Sequence, residues 1–187
     1  MPKEQLNNVV LAGSISKFKI GKAMDFGTNL SFLVGGVSDV PIRVSMLSKF
    51  QRQIEAGQSA KSVVIANGFM DCWTGQDGKE NFQVSARPAG VFFLESMINP
   101  YGVVHVEGEI TAINGQWVLL TSSYKIPGKD GGEAREKSRK INVATQSPLD
   151  QALVGCNVMV VGRLVPKVND AWFLHIVASN LYVLYRA

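Results

Sequence analysis

The chain has 187 residues, a net charge of +4, 46% hydrophobic and 18% charged residues, which is the composition of a folded chain and excludes a disordered one. No apolar run reaches membrane-spanning length, and the N-terminal MPKEQLNN lacks the apolar core of a signal peptide. Cys72 and Cys156 lie far apart with no His-rich cluster beside them, which argues against zinc and for reduced structural thiols in an intracellular compartment.

Strand-like alternation opens at Asn8 and runs through Ile15, and the stretches 28–34 (TNLSFLV) and 42–47 (IRVSML) continue it with Leu30, Phe32 and Val34 on one face and Ile42, Val44 and Met46 on another. Between Ser48 and Lys61 the period changes. Phe50 and Ile54, four residues apart in a polar background, predict one short helix closed near Gly57. A strand at 62–70 follows, then a hairpin with its tip at Thr74-Gly75-Gln76-Asp77-Gly78-Lys79, where Asp-Gly is a strong turn signal. Strand 80–86 returns, and VFFLE at 91–95 completes the set. The segment SMINPYG (96–102) reads as a linker. Beyond it come strand 103–113, a turn at Asn114-Gly115, strand 116–125, a polar glycine-rich loop at 125–140 and strand 141–145. The slot held by the helix in the first half is short here (SPLDQALVG), and strands 157–164, 171–178 and 181–185 end the chain, with a turn at Asn169-Asp170.

The two halves repeat one another. VVLAGSI (9–15) returns as VHVEGEI (104–110), SVVIANGF (62–69) as NVMVVGRL (157–164) with Gly68 matching Gly162, and NFQVSARPAGVFF (81–93) as FLHIVASNLYVLY (173–185). The offset of about 95 residues is a domain-sized period rather than a solenoid-sized one. Two domains are expected, 1–98 and 99–187, and the net charge divides evenly between them at +2 each. Five strands with a helix or loop between the third and fourth is the strand plan of a five-stranded Greek-key barrel, the OB-fold. The expected fold class is all-β: two tandem five-stranded OB-fold barrels, the first with a short helix between strands three and four.

The pieces Asn8-Val9-Val10-Leu11-Ala12-Gly13, Ile42-Arg43-Val44, Gly68 and Trp73-Thr74-Gly75-Gln76-Asp77-Gly78-Lys79 resemble the bacterial single-stranded-DNA-binding proteins, whose long hairpin carries a Trp just before a Gly-containing tip. The resemblance covers residues 8–95 and extends more weakly to 102–186 through the internal repeat. Tandem OB-folds on one chain are similar to the Deinococcus–Thermus form of that family. Members also carry an acidic C-terminal tail that recruits other enzymes. The present sequence ends at Leu184-Tyr185-Arg186-Ala187, so recruitment through a tail is not expected, and a plasmid, phage or specialised relative, or a primosome-like accessory protein, fits better than a housekeeping one. Four OB-folds are the common complement in the family, which implies a homodimer of this two-barrel chain.

Single strands are held by a cationic groove that tracks the phosphates and by aromatic faces on which bases stack. Trp73 is the foremost stacking candidate, with hairpin packing as its rival role, followed by Trp117, Trp172, Tyr124 and Phe18. Of these Phe18 alternates with apolar residues in the manner of a core position. For the phosphates, the segment 125–140 holds Lys125, Lys129, Arg135, Lys137, Arg139 and Lys140 against three acidic residues. Lys17 and Lys19 fall on the expected loop after the first strand, and Arg43 and Lys79 complete the set. Catalysis finds no support: His105 and His175 both sit inside strand patterns, and no nucleophile–base pair, phosphate-cradling glycine loop or metal-ligand spacing occurs. The expectation is a non-enzymatic, cytoplasmic protein that binds single-stranded DNA, with no cofactor, metal, small-molecule substrate or membrane partner, and that protects strands in replication, recombination or repair. The alternatives are an RNA-binding OB protein and a protein–protein adaptor of the replication machinery.

Overall fold

The computed structural model describes residues 5–24, 27–35, 42–48, 51–74, 76, 80–126, 135–167 and 173–186, and at several strand positions, Trp73 among them, the backbone alone. In the first half run β1 (Asn7–Met24), β2 (Gly27–Gly35), β3 (Ile42–Ser48), α1 (Gln51–Ser59), β4 (Ser62–Thr74), β5 (Glu80–Ala86) and β6 (Val91–Leu94). In the second run β7 (Tyr101–Asn114), β8 (Trp117–Ile126), β9 (Arg135–Ala144), β10 (Cys156–Lys167) and β11 (Phe173–Arg186).

Strand pairing closes each half on itself by one and the same circuit. In the first, β1 pairs antiparallel with β2, β2 with β3, β3 runs parallel to β5, β5 pairs with β4, and β4 returns to β1 through Leu11 opposite Ile65. In the second, β7 pairs with β8, β8 with β9, β9 runs parallel to β11, β11 neighbours β10, and β10 returns to β7 through Val160 opposite Val106. This is the closed Greek-key order of an OB-fold, twice. A nine-residue helix, α1, fills the slot between the third and fourth strands of the first barrel, where the second has a single 3-10 turn at Gln151–Leu153. Chain contacts group Asn8–Val103 with Leu164–Leu174 into one compact unit, and Met1–Asn7 with Val104–Arg163 and His175–Ala187 into another.

Alternation explains the cores. Val9, Leu11, Leu30, Phe32, Val63 and Ile65 are at most 1% exposed in the first barrel, as are Val104, Val106, Ile110, Leu120, Ile141 and Ile176 in the second. Along these stretches alternate side chains point inward, and burying an apolar side chain of this size contributes about 1.5–3 kcal/mol. The matched glycines serve one purpose in both halves. A Cβ on Gly68 would lie 2.8 Å from Val84 Cγ1, and one on Gly162 would lie 2.7 Å from Ile176 Cγ2. Only hydrogen fits where the fourth and fifth strands close on each other.

Four boundaries differ from expectation. β1 continues to Met24, so Lys17 and Lys19 lie on a strand rather than a loop. Antiparallel pairing with β2 carries the backbone on, through register shifts between Ile15 and Lys17 and between Ile20 and Ala23. Both ends of the basic segment expected as a loop are strand, because Lys125 pairs with Glu136 and Ile126 with Arg135 across β8 and β9, and residues 127–134 lie outside the described residues. The stretches 173–178 and 181–185 belong to one strand, β11, while residues 171 and 172 lie outside the described residues. Gly57 does not close the helix but sits inside it, buried against Phe18 and Phe93. The hairpin tip at 74–79 falls largely outside the described residues, as does the turn at Asn169-Asp170.

Candidate nucleic-acid interface

An OB-fold receives its ligand on the outer face of its second and third strands, between the loops that join strands one to two and four to five. In the second barrel those strands are β8 and β9. Val118, Leu120 and Ser122 of β8 are buried, so Trp117, Leu119, Thr121 and Ser123 take the opposite, outer face. Their partners in register are Ala144, Asn142, Lys140 and Ser138. The outer face therefore carries Trp117, 39% exposed, at one end, Lys140, exposed, along its length, and hydroxyl and amide groups between them. That is the combination a single strand requires: a π-face for a base, a cation for a phosphate, and polar groups that accept either role.

The turn that feeds Trp117 is held from below. Gly115 adopts φ +60°, which the Asn-Gly sequence anticipates. The Gln116 carbonyl accepts hydrogen bonds from Thr145 N at 2.8 Å and from Thr145 Oγ1 at 3.0 Å, while Gln116 Nε2 donates to the Gln146 carbonyl at 2.9 Å. On the same face, one strand beyond β9, stands His175 of β11, paired with Asn142 and only 8% exposed. Its ring centroid is 5.2 Å from that of Trp117, tilted by 60°.

Arg139 and Tyr124 lie on the other side of the same strands. Arg139 is 6% exposed, with its guanidinium carbon 3.8 Å from the centroid of the Tyr124 ring, and Tyr124 is half-buried. The pair spends a cation and an aromatic face on one another inside the barrel. Sequence neighbours thus separate: Lys140 faces out and Arg139 faces in.

In the first barrel, Lys17 and Lys19 pair with Leu33 and Ser31 and, with these and Phe32, line a half-open pocket. Both ammonium groups are exposed, and Arg43 follows next in register, opposite Leu33. Phe18 points the other way, into a cluster with Phe32 at 6.0 Å and Phe93 at 5.9 Å. The structure thus gathers Trp117 and Lys140 on one barrel face and Lys17 and Lys19, with Arg43 in register, on the other barrel. Trp73, Arg43, Lys125, Arg135 and Lys137 are placed by backbone alone, and Lys79, Lys129 and Trp172 lie outside the described residues. His175, Asn142 and Ser31 were not candidates on sequence. The alternation around His175, opposite buried Ile176, was a usable signal, but its neighbour Trp117 is set by cross-strand pairing.

Among the described residues no group of three or more His, Cys, Asp or Glu is placed to hold a metal ion, and no helix is long and apolar enough to cross a membrane. No family model matches the chain, and neither does any curated protein. Among solved structures, the chain is similar to a deletion mutant of the single-stranded DNA binding protein from Thermus aquaticus, with a TM-score of 0.67 and 16% identity over 98% of this chain and 97% of that one. A second structure, the tetrameric p202 HIN2, has a TM-score of 0.27 and 12% identity, covering 97% of this chain and 93% of that one. At these identities the first likeness establishes the fold and the second carries no argument.

Proposed function

We propose that the protein binds single-stranded DNA with little sequence preference, stacking bases on Trp117 and pairing phosphates with Lys140, Lys17, Lys19 and, from the 125–140 segment, Lys125, Lys129, Arg135 and Lys137, while Arg139 stays inside the barrel. The observation that carries this reading is the outer β8–β9 face, where an exposed indole and an exposed ammonium share the surface on which OB-folds take their ligands. The end-to-end likeness in fold to a single-stranded DNA binding protein supports it. In this reading the chain is non-enzymatic, its domains are 1–98 and 99–187, and two copies present four barrels. Its task is to protect exposed strands in replication, recombination or repair.

The test is a titration of intrinsic Trp fluorescence with poly-dT, repeated across salt and against poly-U and duplex DNA. Quenching by poly-dT that weakens with salt, with none by duplex, is the expected result, the salt slope being about −0.7 per phosphate contact for a single strand. Tighter binding of poly-U would move the assignment to RNA, since the 2′-hydroxyl is the discriminating group. A second reading, a protein–protein adaptor, draws on the exposed run Tyr182, Val183, Leu184 and Tyr185, each between 43% and 58% exposed. It predicts no oligonucleotide binding even at low salt.

A further inference from the structure

We infer that His175 is a positioning residue for Trp117, holding the indole in the orientation in which it receives a base. The inference rests on the reading that the β8–β9 face binds single strands, and it adds to that face a residue that need not touch the nucleic acid.

The geometry is specific. Trp117 sits at the first position of β8, and its cross-strand partners are Asn114 on β7 and Ala144 on β9, neither of which carries a ring. Two positions along β8 on the same face is Leu119, half-buried. A planar partner comes from two strands away: β11 runs parallel to β9 and brings His175 level with Asn142, with the imidazole 5.2 Å from the indole. His175 lies on the outer face, since the next residue, Ile176, is fully buried in the barrel, yet it is only 8% exposed while Trp117 keeps 39% of its surface open. The histidine is therefore the supported, inner member of the pair and the tryptophan the presented one.

The 60° tilt matters as well. Rings at that angle attract edge against face, so the imidazole fixes the indole without lying parallel to it as a stacked base would. An indole held before the strand arrives avoids the ordering cost that a loose side chain meets on binding, and that cost corresponds to roughly two- to tenfold in affinity for one immobilised side chain. Because the pair spans β8, β9 and β11, it forms only once the third and fifth strands are paired, which ties the presentation of Trp117 to closure of the barrel.

The test uses the full chain labelled with 5-fluorotryptophan, the Trp117 resonance being assigned by its loss in Trp117→Phe. In His175→Ala the Trp117 line is expected to shift and narrow, and affinity for a labelled dT oligonucleotide to fall roughly two- to tenfold with unchanged melting. His175→Phe, which restores a ring, is expected to recover both. If His175→Ala melts early, His175→Gln makes the same comparison with a polar side chain that lacks the ring. An unchanged Trp117 line in the ring-less variants would overturn the inference whether or not DNA binds. A changed line with unaltered affinity would overturn it too. Failure of the unsubstituted protein to bind dT at low salt would instead sink the single-strand reading, while the fluorine line, which needs no ligand, still decides whether His175 holds the ring.

Discussion

Gly57 of α1 approaches Phe18 of β1 so closely that a Cβ on the glycine would lie 2.5 Å from the phenyl Cε2 and Cζ atoms. The ring cannot retreat easily, because it packs with Phe32 and Phe93, which are themselves 5.5 Å apart. Gly57→Ala sets two effects against each other. Alanine favours the helix by about 1 kcal/mol, and overpacking costs about 1–3 kcal/mol. The clash is expected to win, so that thermal unfolding begins several degrees lower. An unchanged or raised Tm would mean that α1 does not seat on the aromatic cluster as described.

Gly162 presents the harsher case. A Cβ there would meet the Val177 carbonyl oxygen as well as Ile176 Cγ2, and backbone yields less readily than the end of a side chain. Gly162→Ala is expected to cost about 2–4 kcal/mol and to exceed the loss in Gly57→Ala, both measured by chemical denaturation. The reverse order would contradict the close approach of β10 and β11.

Arg139 and Lys140 are adjacent in sequence and opposite in duty. Lys140→Ala is expected to leave the Tm within the range of ordinary surface changes and to reduce the salt slope of dT binding by about 0.7. Tyr124→Leu removes the ring over which the buried Arg139 guanidinium lies, and is expected to cost about 1–2 kcal/mol of stability with the salt slope unchanged. Equal effects of the two substitutions on the slope would mean that Arg139 also reaches the phosphates.

Much of this was legible in the order of residues. The internal repeat located both barrels because the same physical demands recur: Gly68 and Gly162 answer one clash, and Ala86 and Ala178 are both buried near it, at 6% and 5% exposure. The helix was legible from the change of period around Ile54, while Phe50, the other residue of that signal, lies outside the described residues; the role of Gly57 was not legible, because its reason is a ring some forty residues earlier in the chain. Lys17 and Lys19 as strand residues were open to reading in the alternation Lys17-Phe18-Lys19-Ile20, and the two register shifts that bend β1 hid it. The candidate site was less legible than the fold. Trp117 could be named from its place after an Asn-Gly turn, while charge alone grouped Arg139 with Lys140 and only the register of β8 and β9 separates them. His175 could not be joined to Trp117 at all without the parallel pairing of β9 and β11, a contact between residues far apart in sequence.

The most direct test of the β8–β9 face is photochemical crosslinking of an oligo-dT to the native protein, followed by mass-spectrometric mapping. Adducts on the peptide that carries Trp117, suppressed by unlabelled dT and by high salt, are the expected result. Crosslinks confined to peptides away from β8 and β9, with Trp117→Ala leaving affinity unchanged, would contradict the assignment of that face.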